Sequence, residues 1–159
     1  AIRVEESKTR PMGRNASGVR GIRLKDNKDE VVGMISVNDM DANILVVSEN
    51  GFGKRSSLED YRLTNRGGKG VKTISITEKT GKLVTLKSVS DNDDLMIINK
   101  SGIAIRMQVE DLRVMGRATQ GVKVISLKDG DSIAAVAKVM KDDDDLEDVN
   151  DIEFTGDTV

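Results

Sequence analysis

The sequence predicts an all-β protein built from repeated four-stranded units that stack as a partial ring. Three observations support this fold class. One residue pattern recurs three times at a nearly constant interval, the apolar segments are short and rich in Val and Ile, and Gly, Asn and Asp separate them. Aromatic residues make up only 2% of the 159 residues and Trp is absent, so the core has to be aliphatic.

The clearest repeat is a basic segment that contains glycine. It occurs at residues 14–24, 66–76 and 117–127. Each copy begins with Arg, three variable residues and the pair Gly-Val. A cation follows, and the second and fourth residues after this cation are Ile and then Leu or Ile. The intervals between the Gly residues of the Gly-Val pairs are 52 and 51 residues. A period of this kind is typical of blades or solenoids, in which each unit packs on its neighbours.

A second pattern recurs at the same interval. In order, Gly51, Arg55, Glu59, Asp60 and Arg62 match Gly102, Arg106, Glu110, Asp111 and Arg113. The first three residues of the chain, Ala-Ile-Arg, match residues 104–106, which places the beginning of the chain within a strand of a further copy. We therefore expect a fragment of a longer chain that supplies additional copies.

The apolar segments between these patterns predict strands, because they alternate roughly and favour β-branched residues. They are Val31–Val37, Ile44–Val47, Leu83–Val89, Leu95–Ile98 and Ile133–Val139. Asn50-Gly51 and Lys100-Ser101-Gly102 are predicted hairpin turns. Four strands per repeat indicate a propeller-type blade, which buries both faces only if neighbours stack. Three blades are too few to close a propeller, which usually takes about four to eight.

The composition excludes several classes of function. There is no Cys and no His, which removes disulfides, thiolate metal sites and the commonest general base, so a hydrolase is disfavoured. No apolar run is long enough to cross a bilayer and no signal peptide begins the chain, so we expect a cytoplasmic protein without membrane association. Neither a cofactor nor a small-molecule substrate is expected.

Charge divides the chain into two regions. Residues 1–140 contain 24 Lys and Arg against 18 Asp and Glu, a net charge of +6. Residues 141–159 contain one Lys and nine acids, a net charge of -8, and are predicted to form a disordered acidic tail. The blade region is therefore expected at residues 1–140, and its excess of cations favours a polyanionic partner. Two functions of the tail are compatible with the sequence: it competes with that partner for the basic surface, or it only aids solubility.

Two groups of residues resemble a known family. Arg10-Pro11-Met12-Gly13-Arg14 followed by residues 18–24, and Asn50–Arg55 followed by Glu59-Asp60-Tyr61, are similar to motifs of the C-terminal, DNA-wrapping domain of DNA gyrase A. The resemblance covers essentially all of residues 1–140. The related C-terminal domain of the A-type protein of topoisomerase IV is an alternative within the same class.

This resemblance implies a six-bladed β-pinwheel in which neighbouring blades exchange a strand. It also implies that duplex DNA bends around a basic outer rim, which supports negative supercoiling by a type II topoisomerase. The implied partners are duplex DNA, the remainder of gyrase A, and gyrase B. No catalytic residue is implied in this region.

One motif of the family is present in altered form. Residues 66–70, Arg-Gly-Gly-Lys-Gly, match the last five positions of the family signature Gln-Arg-Arg-Gly-Gly-Lys-Gly, while Thr64 and Asn65 replace the first two. Glycines of this kind allow backbone amides to approach a phosphate closely. The spacing does not fit a P-loop, because Lys69 is followed by Gly70.

The candidate DNA-binding residues are the cations that recur in each repeat. They are Arg14, Arg20, Arg66, Lys69, Lys72, Arg117 and Lys123 in the basic segments, with Lys54, Arg55 and Arg106 in the second pattern. For the basic segments, phosphate contact is favoured over a merely solvated surface. For Arg55 and Arg106, an ion pair with the Glu four residues further on is equally compatible with the sequence.

Other polar residues are interpreted as structural. The acidic pairs beginning at Glu59 and Glu110 recur with the repeat, and a catalytic pair is not needed once per blade. Tyr61 is the only Tyr, and Leu112 takes its place one repeat later, which indicates a packing position. A protein-interaction propeller is the alternative function. DNA binding requires the cations to lie on one continuous rim, whereas a protein scaffold would bind through a face or a central channel.

Overall fold

The computed structural model describes residues 1–140, which form strands, loops and two short 3-10 turns, Glu6–Lys8 and Leu58–Asp60. The strands in this part of the chain are β1 (Arg3–Val4), β2 (Asn43–Ser48), β3 (Phe52–Ser57), β4 (Leu63–Thr64), β5 (Leu83–Val89), β6 (Asp93–Asn99), β7 (Ala104–Gln108), β8 (Val122–Lys123) and β9 (Ile133–Met140). The all-β prediction is confirmed. The predicted acidic tail, residues 141–159, lies outside the described residues.

The strands form three sheets. β1 and β4 pair in parallel, the second sheet has the order β5-β2-β3-β8, and the third has the order β7-β6-β9. Hairpins join β2 to β3 and β6 to β7, as the turn residues predict. Gly51 and Gly102 occupy these turns with φ of 82° and 86°, a conformation that favours glycine.

A strand passes from one repeat into the sheet of the preceding one. β8 lies in the third basic segment, yet it pairs antiparallel with β3, with Gly53 opposite Val122. The equivalent pairing occurs one repeat earlier, where the amide of Val71 donates to the carbonyl of Ala1 at 2.7 Å. Each Gly-Val segment therefore completes the edge of the preceding sheet, which is the strand exchange implied by the family resemblance.

The central strand β2 is buried on both faces. Leu45 and Val47 point into one core cluster, which β5, β6 and β9 share, and Ile44 and Val46 point into another, which contains Leu58 and residues of the second basic segment. Because successive side chains of a strand point to opposite faces, one strand serves two cores. Stacking of neighbouring sheets, predicted from the repeat, supplies both.

The predicted strand at residues 31–37 is wrong. This segment is the copy of β5 one repeat earlier, but it forms no strand, and Met34 is 92% exposed. β5 is a strand because its backbone pairs with β2. Within the described residues no copy of β2 precedes residues 31–37, so their amides and carbonyls have no ladder to join. Ile35 and Val37 still pack against the cluster that contains Ile44.

Two cations of β3 hold neighbouring repeats together. Lys54 is fully buried, and its ammonium donates to the carbonyl of Gly116 at 2.7 Å and to that of Arg117. Arg55 is also buried, donates through Nε to the carbonyl of Leu112 and forms an ion pair with Asp91. Hydrogen bonds that involve charged groups contribute about 1.5–3 kcal/mol each. β3 is thus bound to the third repeat by side chains as well as by β8.

The close backbone contact at Gly121 allows the effect of a substitution there on stability to be predicted. Gly121 has φ of 84°, and a Cβ atom there would lie 2.7 Å from the carbonyl oxygen of Gly53. We expect Gly121→Ala to lower the free energy of unfolding by about 2 kcal/mol, measured by urea denaturation, because both the conformation and the strand contact are disfavoured. Gly116→Ala is the control, since nothing lies within 4 Å of its Cβ position. Equal stability of the two variants would contradict this account of the exchange.

Burial of Lys54 should make its contribution to the free energy of unfolding depend on pH. Burial lowers the pKa of Lys54 from 10.5 to about 8, with Asp60 opposing the shift and Arg117 adding to it. Between these values the unfolded chain holds a proton that the folded chain has lost, so this group adds stability as the pH rises from about 8 to about 10.5. We expect the stability advantage of the wild type over Lys54→Met, measured by urea denaturation, to grow across this range. A difference that stays constant with pH would contradict the burial of the charge.

Candidate nucleic-acid interface

The three basic segments form the candidate interface, and we refer to them as the first loop (14–24), the second loop (66–76) and the third loop (117–127). The first and second loops are directly hydrogen bonded. The amide of Arg23 donates to the carbonyl of Gly68 at 2.8 Å, and the amide of Gly67 donates to the carbonyl of Gly21 at 2.6 Å. Backbone bonds therefore fix these two loops side by side.

The second and third loops are joined in the same way. The amide of Ser75 donates to the carbonyl of Thr119 at 3.1 Å. Ser75 and Thr119 take the places of Arg23 and Gly68 one repeat later. The three loops thus follow one another as a continuous structure, which we call the loop ridge.

Most of the predicted DNA-binding cations lie exposed on this ridge. The exposed ones are Arg14, Arg20, Arg66, Lys69, Lys72 and Lys123. Arg117 differs, because its half-buried side chain donates to the carbonyl of Asp60 at 3.0 Å and to that of Lys72 at 2.9 Å. Arg117 therefore attaches the third loop to the second repeat by hydrogen bonds. Its guanidinium charge lies beside the backbone of Lys72.

The three candidates outside the ridge have other surroundings. Lys54 and Arg55 are buried in contacts with the third repeat, so they are not part of an exposed surface. The ion-pair alternative therefore describes Arg55, although its partner is Asp91 and not the predicted Glu59. Arg106 is exposed, and its Nε lies 2.6 Å from Oδ2 of the buried Asp94. An alignment of the repeats does not reveal the Arg106–Asp94 pair, because Asn43 takes the place of Asp94 one repeat earlier.

The glycines of the second loop have a structural function that the sequence did not indicate. Gly70 has φ of 75°, and a Cβ atom there would lie 2.1 Å from the carbonyl oxygen of Ala1. The amide of Gly67 is engaged by the first loop. These two glycines therefore allow close approach of neighbouring backbones, whereas the prediction assigned such glycines to close approach of a phosphate.

Tyr61 occupies a packing position, as predicted. It is 3% exposed, its hydroxyl lies 2.5 Å from the Thr73 hydroxyl, and burial raises the pKa of the phenol. The neighbouring acids Glu59 and Asp60 are exposed at a turn that Ser57 caps. Within residues 1–140 no cluster of acids is arranged to hold a metal ion. None of the helices described there is long and apolar enough to cross a membrane.

Comparisons with known proteins agree with this architecture. The family model described as DNA gyrase C-terminal domain, beta-propeller, matches residues 1–38, 42–90 and 93–140, one segment for each repeat. The DNA gyrase A protein of Staphylococcus aureus (strain MRSA252) is 49% identical over 146 residues, which are 91% of this chain and 16% of that protein. The DNA gyrase A protein of Staphylococcus epidermidis (strain ATCC 12228) is 46% identical over 144 residues, 90% of this chain and 16% of that protein. This chain therefore spans about one sixth of the length of these relatives.

Solved structures show the same arrangement of strands. A DNA gyrase A C-terminal domain superposes with a TM-score of 0.78 at 30% identity, covering 86% of this chain and 46% of that one. The C-terminal domain of DNA topoisomerase IV superposes with a TM-score of 0.79 at 22% identity, covering 86% of this chain and 42% of that one, which supports the fold alone. Together with the match to the family model across all three repeats, these findings show that the chain belongs to the DNA gyrase C-terminal domain family of β-propellers.

Proposed function

We propose that this chain binds and bends duplex DNA along the loop ridge, without reading its sequence. The observation that carries the proposal is the direct hydrogen bonding of successive loops, which arranges exposed arginines and lysines in one row. A row of this kind can neutralise successive phosphates of one duplex and release their counterions. Contacts to phosphates position DNA but carry little sequence information.

The cost of bending DNA is offset by the number of phosphates engaged. A ridge that continues from repeat to repeat suits this purpose, because each added blade extends the same row. The alternative function, a protein-interaction propeller, requires a binding face or channel. It does not explain why the exposed cations form a continuous row. Aromatic residues are too few for stacking with single-stranded nucleic acid, which favours the duplex.

In the complete protein, we propose that this region is a non-catalytic accessory domain of DNA gyrase, an ATP-dependent type II topoisomerase. It would wrap DNA so that the enzyme introduces negative supercoils, together with the remainder of gyrase A and with gyrase B. Its place of action would be the bacterial cytoplasm, at the nucleoid. The identities of 46% and 49% to DNA gyrase A proteins favour gyrase over topoisomerase IV.

The proposal predicts a steep dependence of binding on salt. Affinity for linear duplex DNA, measured by gel shift at several salt concentrations, should fall with a slope of about 0.9 logarithmic units per phosphate contact, and unrelated sequences should bind equally well. If affinity were independent of salt, or restricted to one sequence, the phosphate-contact mechanism would have to be abandoned.

The second loop provides a direct test of the ridge. The double change Arg66→Ala and Lys69→Ala should weaken DNA binding and lower the salt slope by about 1–2 units, because up to two phosphate contacts are lost. Cooperative unfolding should persist, since both side chains are exposed. Lys28→Ala with Lys100→Ala removes the same charge from exposed positions outside the loops and serves as the control. An equal loss in both double variants would show that net charge, and not the ridge, determines binding.

A further inference from the structure

Three arginines outside the loop ridge recur once per repeat. Arg10, Arg62 and Arg113 follow Arg3, Arg55 and Arg106 by seven residues in each case. All three are exposed. We call Arg10, Arg62 and Arg113 the turn row, because the latter two follow directly on the turns that begin at Leu58 and Val109.

The backbone around Arg62 is fixed on both sides. The preceding residue, Tyr61, is buried, and its carbonyl accepts a hydrogen bond from the Arg3 guanidinium at 3.3 Å. The following residue, Leu63, pairs in parallel with Arg3. Arg62 therefore extends from a turn that the first repeat holds in place.

The same arrangement is found around Arg113. The carbonyl of the buried Leu112 accepts a hydrogen bond from the Arg55 guanidinium, and Val114 forms a parallel bridge with Arg55. The amide of Met115 donates to the carbonyl of Arg55 at 2.8 Å. In both repeats a buried or half-buried arginine of the preceding repeat anchors the turn, and the exposed arginine on that turn points away from the core.

The turn of the second repeat adjoins the loop ridge, and in every repeat the arginine of the turn row lies four residues before the first arginine of a loop. Arg117 of the third loop donates to the carbonyl of Asp60, two residues before Arg62, and to the carbonyl of Lys72 in the second loop. One guanidinium thereby connects the turn of the second repeat with two loops of the ridge. A duplex bound along the ridge would therefore pass beside this turn.

The guanidinium groups of the turn row make no polar contact within the described part of the chain. Among residues 1–140, none of Arg10, Arg62 and Arg113 forms an ion pair or a side-chain hydrogen bond. This distinguishes them from Arg3, Arg55 and Arg117, which are used to join repeats. A rigid turn with a free guanidinium is well suited to bind phosphate, because little conformational entropy of the backbone is lost on binding.

We propose that Arg10, Arg62 and Arg113 form a second row of contacts to DNA phosphates, beside the loop ridge. This inference rests on the proposed function and adds residues of a different structural element to it. The strength of the phosphate contact is expected to differ among the three arginines of the row. Acidic pairs precede the arginines of the second and third repeats, at residues 59–60 and 110–111, whereas Ser7-Lys8 stands in that place before Arg10. Glu5 and Glu6 also belong to the first turn, so residues 5–10 have a net charge of 0, while residues 57–62 and 108–113 each have a net charge of -1. The first repeat therefore presents the most favourable potential to a phosphate and makes the strongest contact of the row.

The test uses the complete 159-residue chain and linear duplex DNA in gel-shift titrations from low to physiological salt. The triple change of Arg10, Arg62 and Arg113 to Ala should weaken binding about tenfold or more and lower the salt slope by about 2–3 units. The control changes Lys28, Lys82 and Lys100 to Ala, which removes three exposed charges from outside both rows. The control is expected to lose less than half as much of the slope.

Equal losses in the two triple variants would overturn the turn row, since only net charge would then matter. That result would leave the proposed function standing as long as the wild type binds DNA with a steep salt slope. Failure of the wild type to bind duplex DNA would instead refute the proposed function itself. Among single variants, Arg10→Ala should lose more affinity than Arg62→Ala or Arg113→Ala, and the reverse order would contradict the expected difference.

A gain-of-affinity variant separates binding from folding. Glu59→Ser gives position 59 the residue that stands at position 7 in the first turn, and it leaves Asp60, whose charge supports the buried Lys54, in place. The anchoring bonds at Asp60 and Tyr61 use backbone carbonyls, which the change retains. This variant should bind DNA several-fold more tightly at low salt, with a steeper salt slope. Glu78→Ser makes the same change in charge at another exposed position and is the control. If both variants gained affinity equally, the turn would have no special position.

Discussion

The structure depends on the pairing of each Gly-Val segment with a strand of the preceding repeat. The antiparallel pair of Gly53 and Val122 and the hydrogen bonds between Ala1 and Val71 are the same contact in successive repeats. A sheet edge left open would expose unpaired amides and carbonyls, and the neighbour's segment satisfies them. Because the contact joins different repeats, the sheet that contains β2 and β3 is completed by a segment of the next repeat.

Several other features follow from this exchange. Passing a backbone so close to its neighbour requires glycine at Gly70 and Gly121, where a Cβ atom would meet carbonyl oxygens. The exchange also brings the carbonyls of Gly116 and Arg117 over β3, where the ammonium of Lys54 binds them. Lys54 and Arg55, which the sequence predicts as DNA-binding residues, therefore bind the next repeat instead.

The electrostatic surface is a consequence of the same geometry. Strand exchange sets successive loops side by side, and the hydrogen bonds between them keep the exposed loop cations in a single row. Like charges in such a row repel one another, and the repulsion is relieved when a polyanion binds. The backbone bonds that join the repeats thus also fix the positions of the exposed loop cations.

The amino-acid sequence by itself determined the repeat, the positions of β2, β5, β6 and β9, and the hairpin glycines, because alternation and turn chemistry are local properties. It also identified the loop cations, since a repeat aligns them. The tertiary structure alone decided which of the candidate DNA-binding cations are exposed. Lys54 and Arg55 are buried because a segment from the next repeat crosses β3, and no local pattern records that crossing. Residues 31–37 show the same limit, because a strand forms only where a partner strand supplies its hydrogen bonds.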